Sequence, residues 1–206
     1  MKKGYFITFE GADGSGKTTQ LENTASWLTE QGFNVVTTRE PGALDTGKKI
    51  RELLLNNENF VSDRAEMFLF LADRANHIEL FIEPNLKAGK IVLCDRHTDS
   101  TIAYQGYGRG QNIQLLKDLN KIATGNIRPD LTLLYDVSTQ TAMKRVGNIK
   151  DRMEAIGEEF HNKVRNGYLQ LQKENPSRIK LIDANNSIDK VFDNTKKIIN
   201  ELLKRG

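Results

Sequence analysis

Apolar and polar positions follow two patterns along the chain, one typical of buried strands and the other of amphipathic helices. Short runs rich in β-branched and aromatic residues predict five strands, at residues 5–9, 34–38, 91–94, 131–137 and 179–182. Longer stretches with helical spacing of apolar residues predict seven helices, at residues 18–30, 47–55, 63–82, 112–123, 138–146, 158–174 and 188–204. Because strands and helices alternate, we expect an α/β fold built on a parallel sheet.

The carboxyl ends of the predicted strands carry charged residues. Ligands of open α/β sheets bind beyond these ends. The charged residues found there are Glu10, Arg39, Glu40, Asp95, Arg96, Asp136 and Asp183. Strands end in polar residues in any case, so a single aspartate indicates little. Two acid–arginine pairs on neighbouring loops favour a functional site.

The first of these ends runs into a phosphate-binding loop. Residues 11–18 read Gly-Ala-Asp-Gly-Ser-Gly-Lys-Thr and match G-x-x-x-x-G-K-[ST] between a strand and a helix. Glycines let the backbone approach a phosphate, and the free N–H groups of a helix N-terminus favour anions. We expect Lys17 to reach the transferring phosphates and Thr18 to bind Mg²⁺, with Asp95 also on the metal side. The predicted ATP-binding residues are Gly11, Ala12, Asp13, Gly14, Ser15, Gly16, Lys17, Thr18, Thr19 and Arg145.

Length and composition exclude several classes of protein. The 206 residues are 38% apolar and 28% charged, which fits one domain over residues 1–206. No apolar run approaches the roughly 18 residues of a membrane span, and no signal peptide is recognisable. The net charge is only +3 with the signs interspersed, so neither a membrane nor a nucleic-acid partner is expected. The single cysteine, Cys94, agrees with a cytoplasmic location.

A phosphate loop alone does not separate a kinase from a GTPase switch or a motor ATPase. The Asn-Lys-x-Asp of a guanine site is missing, because residues 120–123 read Asn-Lys-Ile-Ala. A small kinase needs a second pocket for the phosphoryl acceptor. Phe70 and Arg74 share one helical face and would suit a base, although this spacing alone better fits a core phenylalanine beside a surface arginine.

Together these motifs resemble the thymidylate kinase family over nearly the whole chain. The matching segments are residues 9–11, 38–42, 95–96, 103–106, 129–132 and 151–154. The resemblance implies a P-loop NTPase-type three-layer fold, with helices on both faces of the sheet and a short lid at about residues 147–156. It also implies a homodimer that uses ATP and Mg²⁺ to phosphorylate dTMP to dTDP.

The resemblance implies a role for each site residue. Phe70 would stack on thymine, Arg74 would bond its carbonyl, and Tyr104 would exclude a ribose 2′-hydroxyl. The full predicted substrate-binding set is Asp13, Arg39, Arg51, Phe70, Arg74, Arg96, Thr101, Tyr104 and Gln105. The predicted catalytic residues are Lys17, Arg96 and Arg152. Arg152 is chosen to bridge the phosphates because Gly14 stands where some relatives carry an arginine in the phosphate loop.

The sequence also departs from the family pattern. Ala43, Lys48 and His97 replace residues that are common in relatives, which bears on the loop at residues 42–48 and on the surroundings of the acceptor phosphate. The histidines have no metal-ligand spacing and are interpreted as packing or surface residues. A kinase for dCMP, UMP or a deoxynucleoside and a non-catalytic P-loop switch remain alternatives. A switch, however, has no use for a second nucleotide pocket.

Overall fold

The computed structural model describes residues 4–56, 58–146 and 152–204, and a five-stranded sheet forms its centre. The strands are β1 Tyr5–Glu10, β2 Val35–Arg39, β3 Ile91–Asp95, β4 Leu131–Asp136 and β5 Ile179–Asp183. They are all parallel and lie in the order β2-β3-β1-β4-β5. The predicted α/β fold is therefore confirmed, and the predicted strands differ from the observed ones by about one residue at their ends.

Helices pack around the sheet. The α-helices are α1 Lys17–Glu30, α2 Asp45–Leu55, α3 Asp63–His77, α4 Glu83–Lys87, α5 Thr98–Thr101, α6 Ile113–Ala123, α7 Thr139–Val146, α8 Glu158–Glu174 and α9 Ile188–Leu203. Two π-helical segments, Ile78–Ile82 and Ile102–Gly108, follow α3 and α5. Within the described residues, no helix combines the length and the apolar character needed to cross a membrane.

Two helical regions differ from the sequence prediction. The helical stretch predicted over residues 63–82 is observed in two parts, because α3 ends at His77 and the chain continues as a π-helical segment, in which the Glu83 N–H reaches the Ile78 carbonyl. Pro84 follows directly and has no N–H to donate. The helical stretch from α5 through Ile102–Gly108 was not among the seven predicted helices, because polar residues interrupt its apolar pattern.

The two faces of the sheet are buried by different helices, because alternate strand residues point to opposite sides. On one face, Phe9 belongs to a buried cluster with Leu28 of α1 and Ile199 of α9. On the other face, Phe6 packs against the π-helical segment that follows α3. Glu10 alternates with Phe9 and shares the face of Phe6, so a carboxylate lies on the interior side of the sheet.

Strands β1, β2 and β3 end at the same level of the sheet. Asp95 is aligned with Arg39 of β2 and with Phe9 of β1. The loops that follow these strands therefore lie side by side. This arrangement brings the phosphate loop next to Glu40, which follows β2, and Arg96, which follows β3.

Candidate active site

The phosphate loop, residues 11–18, connects β1 to α1 with a backbone that requires glycine. Gly14 has a φ of 78°, and a Cβ atom there would lie 2.4 Å from the Ala142 carbonyl oxygen of α7. The loop therefore packs against α7 without room for a side chain. Lys17 begins α1 and is buried, with its Nζ atom 3.4 Å from Asp13 Oδ1. Arg145 of α7 lies over the same loop and donates to the Gly14 carbonyl at 3.4 Å.

The two predicted metal-side residues lie together at the start of α1. The Thr18 hydroxyl donates to Asp95 Oδ2 at 2.7 Å. The other carboxylate oxygen, Asp95 Oδ1, is buried and has no hydrogen-bond partner within the described part of the chain. Oxygen ligands of this kind are what Mg²⁺ prefers, so this pair fits a magnesium ion.

Arg96 joins the phosphate loop to the neighbouring pocket. Its Nη2 atom donates to Asp13 Oδ1 at 2.6 Å and lies 3.2 Å from the Tyr104 hydroxyl, which itself donates to Asp13 Oδ2 at 3.1 Å. Burial favours the neutral form of Asp13, but Arg96 and Lys17 outweigh it and hold the pKa of this carboxyl well below its usual value. Asp13 is therefore an ionised hydrogen-bond acceptor, and it lies between the phosphate loop and the neighbouring pocket.

The acceptor pocket is a partly open cavity of about 80 Å³ beside the phosphate loop. Its lining residues are Asp13, Glu40, Pro41, Arg51, Leu55, Phe70, Arg74, Arg96, Ser100, Thr101, Tyr104, Gln105 and Met153. Every predicted substrate-binding residue except Arg39 lies in this lining. Phe70 is half-buried there, and Arg51 donates to the Pro41 carbonyl at 3.1 Å.

Arg74 is a buried arginine, not a surface one, and is held on all sides. Its guanidinium donates to Glu40 Oε2 at 2.8 Å, to Thr101 Oγ1 and Asn120 Oδ1 at 2.7 Å each, and to the His97 carbonyl at 2.9 Å. These bonds fix the guanidinium plane in the pocket wall. The interpretation of Phe70 and Arg74 as a core residue beside a surface residue is therefore wrong for the arginine.

Glu40 anchors this wall. His77 Nδ1 and His97 Nδ1 lie 2.9 and 3.0 Å from its Oε1 atom. Burial opposes its ionisation, but Arg74 and His97 hold the pKa of Glu40 well below its usual value. The ligand atoms of Glu40, His77 and Cys94 lie within 4.8 Å of one another. Burial, however, raises the pKa of the Cys94 thiol well above its usual value, so hydrogen bonding explains this cluster better than a metal.

Two predicted arginines lie away from the pocket's polar wall. Arg39 is exposed at the end of β2 and lines a different cleft, which also contains Thr18 and Asp95. Arg152 donates to the Leu54 carbonyl at 2.7 Å and to Glu66 Oε2 at 2.5 Å. The Arg152 guanidinium is thus bonded to α2 and α3 rather than to the phosphate loop. Residues 147–151 of the predicted lid lie outside the described residues.

Several residues of the site were missed from the sequence. Glu66 is fully buried and accepts from Gln105, Arg109 and Arg152. Ser100 and Tyr168 contact Arg96, and Asn120 contacts Arg74; these three come from separate helical elements. Tyr168 has the spacing of a core aromatic residue on α8, so no local signal distinguishes it.

The chain is similar in sequence and structure to known proteins. A family model described as "Thymidylate kinase" matches residues 9–195. The thymidylate kinase of Protochlamydia amoebophila is 46% identical over 97% of this chain and 93% of its own length. That of Thermoanaerobacter sp. is 44% identical over 98% of this chain and 100% of its own. A crystal structure of thymidylate kinase from Ehrlichia chaffeensis superposes with a TM-score of 0.81 at 35% identity, covering 96% of this chain and 99% of the other.

Proposed function

The chain belongs to the thymidylate kinase family, and we infer that it transfers the γ-phosphoryl group of ATP to dTMP, giving dTDP and ADP. The geometry that supports this best is the junction of the phosphate loop and the acceptor pocket. Asp13 belongs to the loop, Tyr104 to the pocket, and Arg96 bonds to both. Two nucleotide sites that share an arginine fit phosphoryl transfer between nucleotides, which a binding switch does not need.

The reaction needs charge neutralisation more than proton transfer. By analogy with phosphorylated side chains, the second pKa of dTMP is about 6, so its attacking oxygen is largely ionised at neutral pH. The enzyme must then hold two anionic phosphates in line and offset the charge between them. We assign this role to Lys17 at the transferring phosphate of ATP and to Arg96 at the acceptor phosphate of dTMP. Asp13 stays ionised beside both cations, so it orients them rather than removing a proton.

The base and sugar of dTMP would occupy the acceptor pocket. We propose that Phe70 stacks on thymine while Arg74, Thr101 and Gln105 address its polar edge. The buried network around Arg74 supports this assignment, because it holds the guanidinium in the pocket wall; a bond from Arg74 to a thymine carbonyl would be shared with, or exchanged for, one of these four partners. Asp13 would bond the 3′-hydroxyl and Tyr104 would exclude a 2′-hydroxyl. Arg39 and Arg51 would complete the dTMP-binding residues, near the phosphate of dTMP.

ATP and magnesium would share the start of α1. We propose that residues 11–19 and Arg145 bind ATP, and that Thr18 and Asp95 hold Mg²⁺. The unpartnered Asp95 Oδ1 supports the metal assignment. When bound, the ion would neutralise charge on the β- and γ-phosphates. The protein's own contribution there is to fix a hydroxyl and a carboxylate 2.7 Å apart.

We further propose one kinase domain over residues 1–206, with a lid at about residues 147–156 that supplies Arg152 as the phosphate-bridging arginine. Arg152 would have to leave Glu66 and the Leu54 carbonyl to act in this way. A homodimer is proposed through the helices that follow β2 and β3, where exposed apolar side chains occur. They are Leu53, Phe68, Leu115 and Ile122. A cytoplasmic location remains a prediction.

Substrate choice tests the proposed reaction. ADP release from ATP and Mg²⁺ would be measured against dTMP, dUMP, dCMP, UMP and thymidine. The methyl group that separates dTMP from dUMP is worth only about 10- to 200-fold. Cytosine presents a donor where Arg74 needs an acceptor, so discrimination against dCMP of about 10⁴-fold is expected. Equal use of dCMP and dTMP would overturn the role of Arg74, and turnover with thymidine alone would overturn the reaction.

A further inference from the structure

Arg96 is held at both terminal nitrogens, and one set of partners has not yet been given a role. Nη2 bonds to Asp13 and Tyr104 in the acceptor pocket. Nη1 lies 3.2 Å from the Ser100 hydroxyl and 3.2 Å from the Tyr168 hydroxyl. These two hydroxyl groups hold the terminal nitrogen that does not contact Asp13, so their orientation affects how Arg96 is placed.

One buried carboxylate determines that orientation. Glu10 is fully buried, and its Oε2 atom accepts from Ser100 at 2.6 Å and from Tyr168 at 2.9 Å. Each hydroxyl has one proton. The two hydroxyl oxygens also lie 2.8 Å apart, but an ionised carboxylate is a stronger acceptor than a hydroxyl. Once both protons point at Glu10, each oxygen presents only lone pairs to Arg96.

Glu10 also supports the backbone next to Arg96. Its Oε1 atom accepts from the His97 N–H at 2.7 Å. Arg96 has a φ of 68°, in the left-handed region that residues with a side chain rarely adopt. Such a conformation persists only where neighbouring contacts enforce it. A single carboxylate therefore holds both the backbone beside Arg96 and, through two hydroxyls, its guanidinium.

We propose that Tyr168 and Ser100, oriented by Glu10, are positioning residues that aim Arg96 at the phosphate of dTMP. The inference rests on the acceptor-phosphate role proposed above for Arg96. Tyr168 lies on α8, which begins just after the predicted lid at Glu158. The helix that follows the lid thus contributes to the placement of the acceptor phosphate.

The protonation of Glu10 supplies a readout that simple packing would not change. Burial and the nearby Asp99 raise the pKa of Glu10 to about 7. Ser100, Arg96 and the His97 N–H stabilise the ionised carboxylate and so oppose this rise. Arg178, Cys94 and Tyr168 also interact electrostatically with Glu10. A protonated Glu10 would itself donate and would turn one hydroxyl proton toward Arg96, which weakens dTMP binding on the acid side of this pKa.

The test compares Tyr168→Phe with Tyr135→Phe. Tyr135 is an equally buried tyrosine whose hydroxyl contacts Thr195 at 3.0 Å, away from the pocket. Both variants keep the ring and lose only the oxygen. We expect Tyr168→Phe to raise the KM for dTMP about tenfold, since hydrogen bonds to charged groups are worth roughly that factor or more. The KM for ATP should change by less than about twofold in both variants.

The pH profile of kcat/KM for dTMP completes the test. Loss of a donor to Glu10 should move the acidic limb of the Tyr168→Phe profile to higher pH relative to Tyr135→Phe, which experiences the same titration of dTMP. When Glu10→Gln is added to both variants, this difference should disappear, so that Tyr168→Phe and Tyr135→Phe show the same acidic limb. A dTMP KM for Tyr168→Phe equal to that of Tyr135→Phe would overturn the proposal. Equal losses for dTMP and ATP would also overturn it, because they indicate a structural role.

Arg96→Ala separates this inference from the function on which it rests. If Arg96→Ala leaves the KM for dTMP unchanged, the acceptor-phosphate role of Arg96 fails, and the positioning role fails with it. If Arg96→Ala raises that KM strongly while Tyr168→Phe matches Tyr135→Phe, Arg96 keeps its role and only the positioning proposal fails.

Discussion

The phosphate loop and the acceptor pocket use different groups to bind anionic ligands. The loop uses consecutive backbone groups between β1 and α1, and its shape depends on glycines such as Gly14. The pocket uses side chains from α2, α3, α5 and the segment Ile102–Gly108, which meet through buried ion pairs such as Arg74 with Glu40. The loop is therefore defined locally, whereas the pocket exists only after the helices have packed.

This difference determines how each region should respond to mutation. Removing a side chain from the loop should change chemistry without changing the fold, because the backbone forms the cradle. Removing one partner from the pocket leaves a buried charge unpaired, which typically costs about 3–5 kcal/mol. Loop variants should therefore affect turnover, and pocket variants should affect both binding and stability.

The largest effect is expected for Lys17→Ala in the loop. The side chain is the loop's own cation, and its loss should lower kcat by at least about a thousandfold, as for other groups that stabilise transferring phosphates. The free energy of unfolding should stay close to that of the parent protein. Steady-state kinetics and chemical denaturation would check both statements. Undiminished turnover at saturating ATP would contradict the assignment of the loop.

The next largest effect concerns Arg152, whose guanidinium is bonded to α2 and α3 but is proposed to act on the phosphates. Arg152→Ala should lower kcat by at least about a hundredfold with little change in the KM for dTMP, because the contact would form only in the closed state. Arg152→Lys should rescue poorly, since an ammonium cannot bridge two phosphates as a guanidinium does. Arg145→Ala is the matched comparison, because Arg145 already contacts the Gly14 carbonyl.

The opposite result for these two arginines would be equally informative. A kcat within about threefold of the parent for Arg152→Ala, together with a collapse for Arg145→Ala, would move the catalytic role to α7. A raised KM for dTMP with unchanged kcat would assign Arg152 to the pocket wall. That outcome is expected if Arg152 stays bonded to Glu66 and the Leu54 carbonyl and does not reach the phosphates.

A smaller effect is expected for the loop backbone itself. Gly14 and Gly16 both have positive φ, but only a Cβ at Gly14 would collide, at 2.4 Å from the Ala142 carbonyl. Nothing lies within 4 Å of a Cβ at Gly16. Without nucleotide, Gly16→Ala should lose about 1–2 kcal/mol from backbone strain, and Gly14→Ala should lose clearly more. Equal losses by thermal denaturation would show that the contact with α7 does not constrain the loop.

The same difference explains what could be predicted from the sequence. The sheet and the phosphate loop depend on local patterns, and the predicted strands and the loop's position between strand and helix are confirmed. The Arg74 network depends on Glu40, His97 and Asn120, which are separated by tens of residues and carry no joint signal. Tyr168 is similar, since its ring packs like a core residue and only its hydroxyl contacts Arg96.

The smallest effect should appear in the pH dependence of stability on the pocket side. Asp73 of α3 accepts long bonds from the Gly42 N–H, and burial together with nearby Glu40 raises its pKa to about 6. A carboxyl whose pKa is raised on folding stabilises the protein below its unfolded value of 3.8, and that contribution is lost as the pH rises through about 6. The free energy of unfolding of Asp73→Asn should therefore rise by about 1 kcal/mol relative to that of the parent between pH 4 and 8.

The difference between the two proteins isolates Asp73, because His97, whose pKa is lowered, contributes a pH dependence of opposite sign to both proteins. Asp118→Asn on the exposed face of α6 is the control, since Gln114 and Lys121 lower the pKa of Asp118. Urea denaturation at both pH values would reveal the trend, and a parent and Asp73→Asn variant with parallel pH profiles would show that Asp73 ionises as freely as a surface carboxyl.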